Sequence, residues 1–506
     1  MLLAGYDVER EYRSLPFGSQ VIVANMAADV AEMEIFLCPN YDVEQSMLSV
    51  DKLQEMWHLP EDGQGGWPPV LDLSQLKFRR QLHEAITVVQ VSNGDDDEKE
   101  WVFKSLTRDL RYMYNELKML LTLPTHPNVI PRPAYVVTKK GRFGGRHGVC
   151  GFVIEYLPLG SLKQRFLDAS EGAAPAVTLQ ERFRWSRQVA DALVHINSAS
   201  PIGFYPDLKP DNVVLRARSV VDDKSSAARV ELDAVLLDLE QRGGWFSWSP
   251  PEVVYVEYLE ILAGGLGEEY ADLRDEIAQK LGEYMPGWTP GSQNDRYQNL
   301  DGGFSGPWKA LLEGRRKMRE NSDGERGDDM LDNAQVFMLG KLIWCIFEGE
   351  ALIRCGIDQE LLQDNVPDSA NSVSVAKTPA VFPEFRIAPA EIRELVRSCT
   401  AGAPEWEGRR RGVVVRGSRL VPAGGAHLDS KNKVWEVTEE ETRAVAKEWW
   451  ANEVNQARAF LQEVLDAAPS GSGRGLLGKI NTRPTLANVR GDLLRLESQA
   501  RHGIGG

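Results

Sequence analysis

Apolar and polar residues change period several times along the chain, and each change marks an element. From Leu76 to Leu106 the pattern is strand-like: "AITVVQV", an acidic turn "SNGDDDEKE" and "WVFKSL" predict a hairpin whose tip is held in solvent by charge. Leu110, Met113, Leu117, Leu120 and Leu121 then recur at helical spacing, with Asp109 in the cap position and Glu116 at the edge of the apolar face. "AYVVTKK" and "GVCGFVIEYL" predict two further strands, broken by "PLGSL". Thr178 and Glu181 make a capping box, after which Trp185, Val189, Ala192, Leu193 and Ile196 mark one face of a long helix. The loop "FYPDLKPDNVVL" follows at residues 204–215 and turns wholly apolar at its end. A polar connector "RSVVDDKSSAARVE" leads to a second short strand, "AVLLDLE", and most of what remains is helical.

Residues 1–74 mix short apolar runs with Gly and Pro clusters, which predicts an ordered but irregular extension whose role the pattern does not reveal. Two later stretches read as insertions. One spans about 253–330; the other, about 402–477, holds the basic run Arg409, Arg410, Arg411, a helix around "RAVAKEWWANEVNQARAFLQEVL" and a flexible "PSGSGRG". The basic run is expected to be a solvated loop.

Composition narrows the classes. A chain of 506 residues with 42% hydrophobic content can bury a sizeable core. Its net charge of -16 disfavours nucleic acid or anionic lipid as partner. Five cysteines, Cys38, Cys150, Cys345, Cys355 and Cys399, with no CxxC pair, argue against a disulfide frame or zinc site and for a reducing compartment. "MLLAGYDVEREY" is too short in apolar residues for a signal peptide, and "VFMLGKLIWCIF" is interrupted by Lys341 and too short for a bilayer. The expectation is an intracellular protein, cytoplasmic or nuclear, with no membrane partner.

Candidate chemistry lies in the charged loop. Asp207, Lys209 and Asn212 stand at D-x-K-x-x-N before one apolar strand, and Asp238 ends a second. Phosphoryl transfer needs a carboxylate to orient and deprotonate the attacking hydroxyl, a cation on the transferred phosphate, and hard oxygen ligands for Mg²⁺. Asp207, Lys209 and the Asn212/Asp238 pair are residues of those types.

With these companions the chain resembles the protein kinase superfamily in motif order from about residue 76 to 498. "YPDLKPDNVVL" resembles its catalytic loop, "DLE" at 238–240 its metal-binding DFG, "WVFK" its lysine-bearing strand, and "PPE" at 250–252 its APE. "YMYNELKMLLTLPTHPNVI" is similar to the helix whose glutamate pairs with that lysine, which makes Glu116 the partner of Lys104. "VIEYLPLGSL" resembles the hinge, with Ile154 as gatekeeper and backbone groups of Glu155 and Leu157 meeting adenine; Val102 and Val214 are assigned to the same nucleotide site. "VFMLGKLIWCIFEG" is similar to the family's central buried helix, and Arg483 of "RPTLANV" stands where a pair with Glu252 is expected. His195 fits a structural hydrogen-bonding position before the catalytic loop. The likeness is greatest to divergent kinase-like proteins of filamentous fungi.

The resemblance implies an α+β, two-lobed kinase-like fold: a five-stranded lobe with its hinge at 75–160, a helical lobe at 161–498 enlarged by the two insertions, and a tail at 499–506. It implies ATP and Mg²⁺ between the lobes, with Lys104, Glu116, Asp207 and Lys209 catalytic and Asn212, Asp238 and Glu240 at the metal. A protein hydroxyl would be the acceptor. Several departures qualify this. "RRQLHEAITVV" occupies the place of the glycine-rich loop, Tyr205 and Pro206 replace the family's histidine and arginine, Glu240 replaces a glycine, and Gln335 replaces the aspartate that anchors the catalytic loop, with Asp332 one turn earlier. A Ser/Thr-type protein kinase, a pseudokinase or ATP-binding scaffold, and a small-molecule kinase all stay open on these residues.

Overall fold

In the computed structural model the chain is a mixed α+β protein, described over residues 15–502 except 26, 30–31, 59–65, 93–98, 106–109, 142–144, 200–202, 222–227, 241–246, 291–305, 322–328, 354–380, 408–412, 417–418, 423–437 and 468–474. Asp109, Cys355, the basic run Arg409–Arg411, most of the acidic turn and most of "PSGSGRG" lie outside the described residues. The four described cysteines are free thiols.

The stretch read as an irregular extension is built into the fold. β1 (Gln20–Val23) and β2 (Ile35–Cys38) form an antiparallel ribbon, followed by α1 (Asp42–Ser46) and α2 (Val50–Trp57). The Ser49 hydroxyl caps α2 by accepting the Lys52 N–H. β3 (Val70–Asp72) then joins the main sheet with β4 (Leu76–His83), β5 (Ile86–Val91), β6 (Trp101–Lys104), β7 (Tyr135–Lys140) and β8 (His147–Glu155). The order is β3-β7-β8-β6-β5-β4, with β3 parallel to β7 and every other pair antiparallel. Five strands were expected and six are present. The extra one comes from within the extension, because three residues are too few for a period of two to register.

Helix α3 (Leu110–Thr122) buries Leu110, Met113, Leu117, Leu120 and Leu121, the face its periodicity predicts. After α4 (Leu162–Ser170), the predicted capping box opens α5 (Leu179–Ala199): the Glu181 N–H donates to the Thr178 hydroxyl at 3.2 Å, and Glu181 accepts the Thr178 N–H at 2.8 Å. The polar connector is corrected. β9 (Val213–Val221) and β10 (Ala228–Leu236) pair along their whole length, so most of the connector forms the outer end of a long hairpin. Its charged side chains do not break the strands, since Arg218 meets Asp233 and Glu231 across the ladder.

The two stretches read as insertions are mostly helical where described. α6 (Pro251–Gly265), α7 (Ala271–Tyr284) and α8 (Gly306–Asn321) precede α9 (Met330–Glu348), and α10 (Ala390–Cys399) follows. A short hairpin, β11 (Val413–Arg416) and β12 (Arg419–Pro422), leads to α11 (Glu439–Asp466), α12 (Leu476–Ile480) and α13 (Leu486–His502). Tyr255, Val256 and Leu259 of α6, Ile277 and Leu281 of α7, and Ala457, Phe460 and Leu461 of α11 share one apolar cluster. The two stretches therefore bury each other's apolar faces, which neither could do alone. α8 touches that cluster through Ala310 and also reaches the principal core, where Trp308 stacks on Phe204 at 5.6 Å.

Helix α9 is buried on all sides, as an all-round apolar helix must be. Asp329 caps its start and Gly349, at φ 76°, ends it. Among the described residues it is the one helix long and apolar enough to cross a membrane, longer than the stretch judged too short from sequence, and 89% of its apolar window lies inside the protein.

Candidate active site

Alternation along β6 puts Val102 and Lys104 on one face of the sheet. Lys104 is 5% exposed, and its Nζ lies 2.6 Å from Glu116 Oε2 on α3, 2.6 Å from Asp238 Oδ1 and 3.1 Å from Glu240 Oε1. The expected Lys104–Glu116 pair is thus present, and the lysine is shared by two further acids. Burial opposes its positive charge, but Asp238, Glu116 and Glu240 together hold Lys104 well above the ordinary lysine value. Burial also pushes the Glu116 carboxyl up to about 8, against Lys104 and with the charges of Asp238 and Glu240 adding.

Asp238 was expected to end a strand. The strand stops at Leu236, and Asp238 lies beyond it at φ 66°, the left-handed region that costs a non-glycine residue about 1–2 kcal/mol. Its neighbours hold that conformation. The Leu237 N–H donates to the Asn212 carbonyl at 3.1 Å, the Tyr205 hydroxyl donates to the Leu237 carbonyl at 2.5 Å, and the Leu239 N–H donates to Glu116 Oε1 at 3.1 Å. Asn115, a residue the sequence reading missed, donates from Nδ2 to the Glu240 carbonyl at 3.2 Å. Its signal was its place beside Glu116.

The catalytic-loop candidates form a second group. Asp207 Oδ2 accepts from Lys209 Nζ at 2.7 Å and from Asn212 Nδ2 at 3.0 Å, while Asp207 Oδ1 is buried with no hydrogen-bond partner. Burial raises the Asp207 carboxyl against the pull of Lys209, and Asp238 adds to the rise. Gln335 on α9 does anchor this loop, accepting the Tyr205 N–H at 3.1 Å and donating to Asn197 at 2.9 Å. Asp332, one turn earlier, accepts the Leu486 N–H at 3.1 Å and so ties α9 to α13. His195 is structural as expected, its Nε2 2.8 Å from the Pro124 carbonyl oxygen.

Of the metal candidates, Asn212 donates from Nδ2 to the Asp207 carbonyl at 2.9 Å and to Asp207 Oδ2 at 3.0 Å, and its amide oxygen is the atom that could ligate a cation. The carboxylates that converge are Glu116, Asp238 and Glu240, with oxygens within 4.8 Å of one another. With Lys104 charged and the Glu116 carboxyl held protonated near neutral pH by burial, Asp238 and Glu240 leave a net negative charge in a partly dry site. Hard oxygen donors with that charge suit Mg²⁺.

Of the remaining nucleotide candidates, Val102 and Ile154 share the sheet face of Lys104. Val88, Val102 and Ile154 are directly opposed across β5, β6 and β8. A bridge between Ser161 and Val214, with the Leu215 N–H donating to the Gly160 carbonyl at 3.0 Å, brings Val214 beside the turn after Leu157. Glu155 pairs its side chain with Arg216 at 2.6 Å, and the Leu157 carbonyl accepts the Gly160 N–H at 3.3 Å. Elsewhere, Arg483 grips Glu252 through Nη1 to Oε1 at 2.6 Å and Nη2 to Oε2 at 3.2 Å, the pair expected from motif order. Comparison with protein-family models and with curated proteins finds no match for the chain.

Proposed function

We propose that the protein is an ATP-dependent phosphotransferase of two-lobed kinase-like fold, of Ser/Thr protein kinase type, with the nucleotide between the sheet and the helical body. The observation that carries this reading is the convergence of Lys104, Glu116, Asp238 and Glu240 beside an Asp207 that keeps one buried oxygen without a partner. In this reading Asp207 Oδ1 accepts the hydrogen bond of the acceptor hydroxyl and takes its proton as the oxygen attacks phosphorus. The bond from phosphorus to the β-phosphate oxygen breaks, and ADP leaves with that electron pair. Its raised affinity for protons makes Asp207 a better base than an exposed aspartate. Lys209 faces the transferred group, and Lys104, held by Glu116, orients the phosphates. Mg²⁺, held by Asp238 and Glu240 with the Asn212 oxygen, would neutralise charge on the phosphate oxygens.

A second reading, a scaffold that binds nucleotide without reacting, is favoured by one feature. The turn between β4 and β5 is Glu84–Ala85, with no glycine to let backbone amides approach the phosphates closely. Incubation of the purified chain with γ-labelled ATP and Mg²⁺, alone and with a cell lysate, separates the readings. Label on protein is expected. Label only on a small molecule would replace the acceptor class, binding without transfer would favour the scaffold, and no nucleotide binding at all would sink the proposal.

Control by phosphorylation near the site is not expected. Pro206 stands where the resemblance places a phosphate-reading arginine, and Ser249 is buried. The double variant Ser247→Ala, Ser249→Ala is expected to transfer phosphate within about threefold of the parent, as suits a site with no such reader. Phosphate found by mass spectrometry at either serine, together with a large loss of rate in the variant, would contradict this.

A further inference from the structure

The amino-terminal stretch and the site meet on opposite sides of α3. Successive helical residues are 100° apart, so Tyr114 and Glu116 point to nearly opposite faces. Glu116 and Asn115 hold Lys104 and the Leu239–Glu240 backbone. Tyr114 holds the extension: its hydroxyl accepts the Leu48 N–H at 2.9 Å and donates to the Val149 carbonyl at 2.8 Å, and the Val149 N–H donates to the Leu48 carbonyl at 2.8 Å. One residue of the extension, one of α3 and one of β8 thereby satisfy each other in a closed ring.

The contact is also packed. Leu53 is fully buried, and Phe17 and Val43 share the principal core with Met113 and Tyr114. Met47 lies so close to Gly148 that a Cβ there would stand 2.4 Å from the Met47 Cβ, so glycine at 148 is what admits the extension. Glu44 accepts the Phe17 N–H at 3.0 Å and faces Lys139 at 3.8 Å, tying the same stretch to β7.

We infer that residues 15–58 act in cis as a clamp on α3, with Leu48 and Tyr114 as positioning residues that keep Glu116 on Lys104. The chain itself then holds the site assembled, with no need for a modified loop or a partner to push α3 inward. The consequence for turnover rests on the phosphotransferase reading; the placement of Glu116 does not.

The test reads Lys104 directly. In the parent chain, acylation of Lys104 by an amine-reactive reagent, followed by mass spectrometry, should be slow, because the lysine is 5% exposed and ion-paired. Tyr114→Phe keeps the ring and removes both hydroxyl bonds; it should raise Lys104 labelling about tenfold, the ratio expected when buried hydrogen-bonding groups lose their partner. Leu53→Asp should raise it further and expose residues 15–58 to protease. Lys341, 3% exposed on α9, is the internal reference. A rise at Lys104 without one at Lys341, matched by a fall in turnover, is the expected result. Equal rises at both lysines would mean general loosening and overturn the inference. So would unchanged Lys104 labelling in Tyr114→Phe, which decides the matter even if Leu53→Asp does not fold. Nucleotide binding by the parent is measured alongside: if it is absent while labelling changes as expected, the phosphotransferase reading fails and the clamp stands.

Discussion

Asp238→Asn is expected to abolish phosphate transfer and Mg²⁺-dependent nucleotide binding together, whereas Asp207→Asn should leave binding near the parent value and lower turnover by about 10² to 10⁴, the usual share of a positioned base. The two aspartates sit in different company. Asp238 joins Glu116 and Glu240 around Lys104, where an amide would lose the charge a hard cation prefers. Asp207 meets Lys209 and Asn212, and its second oxygen is aimed at no protein group. Lys104→Met should resemble the Asp238 variant in turnover, since it leaves the buried Glu116 and the half-buried Asp238 and Glu240 without their shared cation. Nucleotide titrations with and without Mg²⁺, beside transfer rates on all three variants, make the comparison. An Asp207→Asn chain as active as the parent would remove the base from the mechanism.

Arg483→Met is expected to lower the stability of the fold by about 3–5 kcal/mol, the range for stripping one partner from a buried ion pair. Both side chains of the Glu252–Arg483 pair are wholly buried. The guanidinium also donates to the Ala401 carbonyl at 2.9 Å and the Asn333 carbonyl at 3.0 Å, and lies 4.8 Å from the Phe337 ring centre. It therefore joins the start of α6, the central helix α9 and the residues before α13 at one point. The double variant Glu252→Leu, Arg483→Met should recover part of the loss, because no uncompensated charge is left inside. Chemical denaturation of parent, single and double variants measures both terms. A single variant within about 1 kcal/mol of the parent, the worth of an exposed pair, would show that the pair is ornamental to the fold.

Local rules were legible in the residues themselves. The runs at 86–91, 135–140 and 147–155 are strands because short apolar runs holding β-branched residues lie there, and the α3 face follows from its period. Thr178 and Glu181 cap α5 because the box needs only residues three apart. Lys104 and Glu116, and Glu252 and Arg483, were paired from the order of motifs rather than from any local rule, and the side chains do meet. The site residues were named in the same way. Their grouping was only partly legible: nothing in D-x-K-x-x-N says that Asn212 turns its amide to Asp207 while Glu116 turns toward Asp238 and Glu240.

The sequence by itself determined the elements whose causes lie within a few residues: hydrophobic period, caps, turn chemistry, and the supply of acids and cations at the candidate site. Only the tertiary structure decided that Val70–Asp72 completes the sheet, that both ends of "RSVVDDKSSAARVE" lengthen the β9–β10 hairpin, that α6, α7 and α11 bury one another, and that Leu48 meets Tyr114 of α3. It also decided the left-handed backbone at Asp238, a conformation with a local cost that only distant partners, Tyr205, Asn212 and Glu116, hold in place. The reason is the same in each case: a short or charged segment has weak preferences of its own, so burial and hydrogen bonds supplied by residues remote in sequence choose its conformation.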